Sequence, residues 1–173
     1  MDDFDRYLQD LATSVGSWLQ DPGPDGDVAV STRIRVARNV MDFPFGTRLE
    51  GEVAHDLNKR LRDALEHEPV DDGFTFLELD HTPRVGRQLL LERHLISSEM
   101  AGGEGERGVA FGEGELMSVM VNEEDHVRIQ AMRPGFDLDG AWKDAQAVER
   151  RLGSRVPFSF HDDFGYLTAC PTN

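Results

Sequence analysis

Val121-Asn122-Glu123-Glu124-Asp125-His126-Val127-Arg128-Ile129-Gln130 places three carboxylates, an imidazole and a guanidinium within positions 123 to 128. Apolar β-type runs flank it, Leu116 to Val121 before and Ile129 to Met132 after, which predicts strand, turn, strand. On an extended segment alternate side chains share a face, which would align Glu124, His126, Arg128 and Gln130. A carboxylate beside an arginine lets a site hold a cation and an anion next to each other. The plain alternative is a charged hairpin tip.

Working outward, Phe4, Leu8, Leu11, Val15, Trp18 and Leu19 recur at helical spacing, ended by the turn-forming Asp21-Pro22-Gly23-Pro24-Asp25-Gly26. Val53, Leu57, Leu61, Ala64 and Leu65 mark a second helix, and Leu138, Trp142, Ala145, Val148 and Leu152 a third. Phe74 to Leu79, Gln88 to Ile96, Val109 to Phe111 and Leu116 to Val121 read as strands. Close-spaced strands joined by glycine-containing turns predict an α+β fold, a mostly antiparallel sheet flanked by helices rather than βαβ alternation.

Asp27 to Asn39 alternates, with Val28, Val30, Ile34 and Val36 on one side and Arg33 and Arg35 on the other. Two parallel guanidinium groups on a strand suit phosphate oxygens, because each offers planar paired donors that keep their charge. Arginines on the polar face of a strand are also ordinary in a chain whose 18 basic residues are all Arg except Lys59 and Lys143.

Four blocks occur in the order and spacing of the ATP:guanido phosphotransferases. They are Ser31-Thr32-Arg33-Ile34-Arg35-Val36-Ala37-Arg38-Asn39, Glu92-Arg93-His94-Leu95-Ile96-Ser97, Val121 to Gln130, and Gly165-Tyr166-Leu167-Thr168-Ala169-Cys170-Pro171-Thr172-Asn173. The arrangement resembles the bacterial protein-arginine kinases, which share the His-Leu-Ile-Ser block and lack the helical domain that precedes it in creatine and arginine kinases. The resemblance implies a glutamine-synthetase-like catalytic domain, of which residues 1–173 would be the N-terminal portion. Residues 1–26 would be a leading helix and turn, and 27–173 sheet and helices.

What the resemblance implies for chemistry is ATP-dependent phosphorylation of a guanidinium, with arginine residues in proteins as acceptor. It gives Arg33, Arg35 and Arg128 to the ATP phosphates, with Mg2+ held by the nucleotide and no metal caged by the protein. Ser31, Thr32, Ile34 and His94 fall on nucleotide-contacting positions, although a lone histidine on a strand is also an ordinary packed core residue. Glu124 matches the catalytic glutamate, with Glu123 supporting the turn or the electrostatics. Cys170 matches a reactive cysteine, against the alternative of a small buried thiol. His126 is assigned to orienting the carboxylates. Further phosphate-binding arginines and a second glutamate would lie beyond Asn173, so little turnover is expected of these residues alone, and a truncated, non-catalytic nucleotide-binding or interaction module is the rival reading. The implied partners are an arginine-containing protein substrate, an activator protein and protein-quality-control machinery; apolar surface where further residues would pack makes a homodimer a separate expectation.

Composition sets outer bounds. A net charge of −15 argues against nucleic acid as a partner, and any anion site must be local and arginine-built. One cysteine excludes an internal disulfide, and the acidic start Met1-Asp2-Asp3-Phe4-Asp5 has no apolar targeting core. No stretch approaches bilayer length, so no membrane partner and a cytoplasmic location are expected. Gly103-Glu104-Gly105-Glu106-Arg107-Gly108 fits GxGxxG and Asp163-Phe164-Gly165 spells DFG, but neither has its required context. No strand precedes the glycines, and no strand lysine or HRD loop accompanies the DFG. The glycine run reads instead as a flexible loop able to cover a ligand.

Overall fold

A computed structural model describes residues 8, 9, 11–66 and 73–170. Strands β1 (Ser31–Arg38), β2 (Thr75–Glu78), β3 (Gly108–Phe111), β4 (Met117–Val121) and β5 (Val127–Pro134) form one sheet in the order β1-β5-β4-β3-β2. Every pairing in it is antiparallel. Helices α1 (Gly51–Glu66), α2 (Arg84–Glu92), α3 (Ser98–Gly102) and α4 (Leu138–Arg155) pack around it, and β6 (Phe160–His161) and β7 (Gly165–Tyr166) make a separate small hairpin. The α+β class expected from the sequence is the observed one. Among the described residues no helix is long and apolar enough to cross a membrane.

Register decides which side chains meet. Val36, Ile129, Val119, Ala110 and Phe76 lie in one cross-strand row. They pack with Leu57, Leu61 and Leu65 of α1 and Ala141, Ala145, Val148 and Leu152 of α4. On the opposite face Leu77, Val109, Phe111 and Met120 pack with Leu90, Leu95 and Met100 around α2 and α3. That second cluster covers only the β2–β4 half. The β1–β5 half of the face is left to Arg33, Arg35, Arg128 and Gln130, because their cross-strand partners put them on that side. The arginine face is therefore built by register, as the alternation of the sequence requires.

Thr32 fastens this edge. Its hydroxyl donates to Gly135 O at 2.7 Å and accepts from Asp137 N at 2.9 Å. Asp137 in turn caps α4 through Gly140 N at 2.9 Å. Gly23 packs so closely on Pro134 that an added Cβ would meet its carbonyl oxygen at 2.0 Å. A side chain there would force the 21–26 turn off the sheet.

Four sequence expectations are corrected. The leading helix is helical at residues 8, 9 and 11–13, then ends before Ser14, ahead of a 3-10 turn at Ser17–Leu19. Trp18 is buried, but Val15 and Leu19 are half-exposed, and Phe4 lies outside the described residues. The arginine strand begins at Ser31, not Asp27, and Val28 and Val30 are exposed. Ser31 pairs with Pro134, the last residue of β5, so nothing upstream has a partner strand. On the other helices the buried stripe is Ala54, Leu57, Leu61 and Leu65 in α1 and Ala141, Ala145, Val148 and Leu152 in α4, while Val53, Leu138 and Trp142 are exposed.

The largest correction concerns Gln88 to Ile96, which is helix α2 and a turn rather than a strand. A short apolar run such as Leu89-Leu90-Leu91 satisfies both periods, and tertiary burial of Leu90 selects the helix. The helix ends with His94 in the left-handed region at φ 61°. His94 N donates to Leu91 O at 3.0 Å and Leu95 N to Leu90 O at 2.9 Å, the paired bonds of a Schellman motif. His94 is thus a helix-terminating turn residue.

Candidate active site

The β4–β5 connection is held from beneath by a buried polar network. Asn122 takes φ 58°, and its N–H donates to His126 O at 3.0 Å, closing the turn. Asn39, at the end of β1, donates from Nδ2 to Asp125 Oδ1 at 2.6 Å and accepts from His126 N at 2.9 Å. The same Asp125 oxygen accepts from Ala169 N at 2.6 Å, and Asn39 Nδ2 also reaches Leu167 O at 3.2 Å. Three segments far apart in sequence, β1, the turn and residues 167–169, are locked together. Each of Asn39, Asp125 and His126 is at most 1% exposed, so these bonds have no water to replace them.

His126 does not share a face with Glu124, Arg128 and Gln130, because the chain bends through 122–126 and β5 starts only at Val127. Its ring instead enters a nest of Phe43 and Phe45, with edge contacts at 6.3 and 5.8 Å. Nδ1 accepts from Val40 N at 2.9 Å, which leaves Nε2 to donate to Pro44 O at 2.9 Å. That pattern requires the neutral ring, and burial lowers its pKa, opposed by the Pro44 bond and the Asp125 charge. A folded-state pKa below the ordinary value of about 6.5 means that the unfolded chain binds the extra proton first as pH falls. Stability supplied by neutral His126 is therefore full above about pH 6.5 and declines below it. Urea midpoints taken from about pH 7.5 to about pH 5.5 should fall more steeply for the parent than for His126→Gln. Equal slopes would remove this role.

Above the network, Glu123 and Glu124 both meet Arg128. Arg128 Nε lies 2.9 Å from Glu123 Oε2, and Nη2 donates to Glu124 Oε2 at 3.2 Å. The first contact is an ion pair without hydrogen-bond alignment, so both Glu123 oxygens lack a hydrogen-bond donor although the side chain is 1% exposed. Glu124 is 42% exposed at its side chain and stands at the rim. Arg128 lies diagonally across β5–β1 from Arg35, whose own partner is Gln130. Arg35 is shifted below its ordinary pKa by lost hydration first, then by repulsion from Arg33 and Arg128, with Glu123 pulling the other way. Three cations crowd one patch against a single buried carboxylate. Such a surplus fits a polyanion.

Other expected site residues fall around this patch. The side chains of Thr32 and Ile34 point to the α4 face, which leaves only their backbone, on the sheet's edge strand, to meet a ligand at the arginine patch. Ser31 is half-buried at the strand's first position. His94 is exposed, with its ring edge-on to Trp18 at 5.6 Å, and its carbonyl accepts from Gln130 Nε2 at 2.6 Å. Gln130 thereby ties the His94 turn to the row that carries Arg35. Cys170 follows Ala169 and is half-buried, with its carbonyl accepting from Thr168 Oγ1 at 2.8 Å. The Pro171-Thr172-Asn173 end of its block lies outside the described residues. Asn39, Asp125 and Gln130 are the contributors that sequence reasoning gave no role. The visible signal was only polar residues next to β-type runs.

A cavity of about 620 Å³ opens on the other side of the carboxylates. Its wall includes Glu123, Glu124 and Asp125, the 104–107 loop and Ala169, and none of the three arginines. The two carboxylates thus stand between a cationic patch and an acidic hollow.

Comparison with known proteins identifies the family and the fold. Residues 56–173 match the family described as ATP:guanido phosphotransferase, C-terminal catalytic domain. A protein-arginine kinase of Halothermothrix orenii is 38% identical over 168 residues, 96% of this chain and 48% of that protein. One of Symbiobacterium thermophilum is 39% identical over 167 residues, 94% and 47%. The duplicated taurocyamine kinase of Schistosoma mansoni, solved with bound transition-state-analogue components, superposes with a TM-score of 0.80 at 29% identity, covering 96% of this chain and 24% of that one. The chain belongs to the ATP:guanido phosphotransferase family. It spans about half the length of the curated relatives it matches.

Proposed function

We propose that this chain contributes the phosphate-gripping and acceptor-binding residues of an enzyme that phosphorylates arginine side chains of proteins with ATP. The observation carrying this reading is that Arg128, which register groups with Arg33 and Arg35 on one face of the sheet, is paired with both Glu123 and Glu124. The relatives' names support a protein acceptor. An activator and quality-control partners rest on the resemblance, while a cytoplasmic setting and a homodimer remain expectations from the sequence.

Phosphoryl transfer demands alignment and charge stabilisation around a loose transition state. Arg33, Arg35 and Arg128 grip the triphosphate oxygens, relieving their own mutual repulsion. Mg2+ carried by the nucleotide would supply further neutralisation of the oxygens. Glu124 at the rim accepts two N–H bonds from the acceptor guanidinium and takes one proton from the attacking nitrogen. That nitrogen forms the new N–P bond as the bond from the γ-phosphorus to the ADP oxygen breaks. Glu123 holds Arg128 in place, and Cys170 flanks the guanidinium. His94 and the Ser31–Ile34 backbone are assigned to the nucleotide on the resemblance.

Arg33→Ala and Arg35→Ala are each expected to raise the dissociation constant for ATP by roughly 10- to 100-fold, the worth of a lost hydrogen bond to a charged group. Calorimetric titration of the chain with Mg·ATP measures it. Unchanged affinity in both variants would remove the phosphate role. The reading as a whole is tested in the complete reading frame, by incubation with ATP and an arginine-rich protein. Acid-labile phosphate on the protein is the expected product, and none would count against the proposed activity.

A further inference from the structure

Six carboxylates line the hollow, Glu50, Glu104, Glu106, Glu123, Glu124 and Asp125, against the single guanidinium of Arg107, more than one acceptor needs. Glu124 receives the acceptor in the reading above, on which this inference rests. Beyond it, Glu50 just before α1 and Glu104 in the glycine loop line the same cavity. Both are exposed, and neither has an ion-pair partner among the described residues. By contrast Glu106, also in the wall, is engaged by His55 at 3.2 Å. Glu123, also in the wall, is committed to Arg128 at 2.9 Å.

A volume of about 620 Å³ exceeds one arginine side chain and admits parts of its neighbours. The glycine loop can fit itself to such an occupant. Gly105 holds φ 97° with open space around it, while Asn122 Nδ2 anchors the loop from below at Glu106 O, 2.7 Å away. We propose that this hollow recognises a basic sequence context. Glu50 and Glu104 receive lysine or arginine residues flanking the target arginine, and they set preference among protein sites.

The physical case is additive and modest. Each flanking contact is an exposed ion pair, so two together should tighten binding by about three- to tenfold at low salt. They should fade as salt rises, since both partners face water. A chain of net charge −15 attracts any cationic peptide, so position rather than total charge is the discriminating variable.

The test is fluorescence anisotropy of the chain with three labelled peptides that carry one arginine between two lysines, two alanines or two glutamates. A fourth peptide carries the lysines with alanine in place of the arginine. Affinity is expected to rank lysine-flanked, alanine-flanked, glutamate-flanked, with the arginine-free peptide weakest. In Glu50→Gln/Glu104→Gln the lysine-flanked peptide should bind no more tightly than the alanine-flanked one. Asp162→Asn/Asp163→Asn, a remote exposed pair on the β6–β7 hairpin, should keep the preference. Loss of preference in the remote variant, or its survival in the Glu50/Glu104 variant, overturns the inference in favour of bulk attraction. An alanine-flanked peptide whose binding ignores Glu124→Gln overturns the acceptor reading itself. Equal affinity for all flanks with dependence on Glu124 overturns only the inference.

Discussion

In the complete reading frame, Glu124→Gln is expected to lower phosphoryl transfer to arginine by about 10²- to 10⁴-fold, the range for loss of a positioned general base. The amide keeps the size of the side chain but cannot take a proton, and it turns one acceptor into a donor facing the guanidinium's own N–H groups. Nucleotide affinity should move by about threefold or less, because the Arg128–Glu124 contact is solvent-facing at the glutamate and such pairs contribute little. The split is the informative part. Rates of acid-labile phosphate formation alongside calorimetric ATP titration give both numbers. Retained turnover would remove Glu124 from the chemistry, and collapsed ATP binding would mean that it serves the nucleotide side instead.

Arg128→Met should produce the largest loss of stability at the site, about 3 kcal/mol, together with loss of ATP affinity. Removing this cation leaves Glu123, 1% exposed at its side chain, as a buried charge without an ion-pair partner in contact, balanced only through space by Arg35. Replacing both members by neutral residues, Glu123→Gln/Arg128→Met, should recover most of that stability, since the penalty comes from the orphaned charge. ATP affinity should not recover. Urea denaturation of the two variants decides it, and a double variant no more stable than the single one would mean that Arg128 supports the fold through packing alone. The comparison separates a structural ion pair from a ligand-gripping one.

Much of this architecture was legible because the sheet is half-covered on one face, so alternation survives in the sequence. Arg33 and Arg35 opposite Ile34 and Val36 is a pattern that only an extended segment with one buried face produces, and the structure keeps it. The Leu116 to Met132 hairpin was legible for the same reason. Gln88 to Ile96 was not, because three consecutive leucines fit either period and the deciding fact, burial of Leu90 under the sheet, is tertiary. Val28 and Val30 misled because a strand ends where its partner ends, and Pro134 is far away in sequence.

The site divides along similar lines. Glu124 and Arg128 stand in one short run, so their contact is nearly local. The support beneath them is not. Asn39, Asp125 and Ala169 meet across long stretches of chain, and nothing in an Asn at a strand end announces that it will bridge a turn and a distant backbone N–H. His126 was read as orienting the carboxylates, yet its ring partners, Val40 N and Pro44 O, lie in a loop that periodicity does not describe. Register and long-range closure carry what composition and spacing leave open.

The central claim is that the arginine patch takes the triphosphate while the opposed carboxylates take the cation. Side-chain-resolved NMR of the chain titrated first with Mg·ATP and then with an arginine peptide tests it most directly. Guanidinium resonances of Arg33, Arg35 and Arg128 should shift with the nucleotide, and the Glu124 carboxylate with the peptide. A nucleotide that shifts none of these arginines, or a peptide that leaves Glu124 untouched, would contradict it.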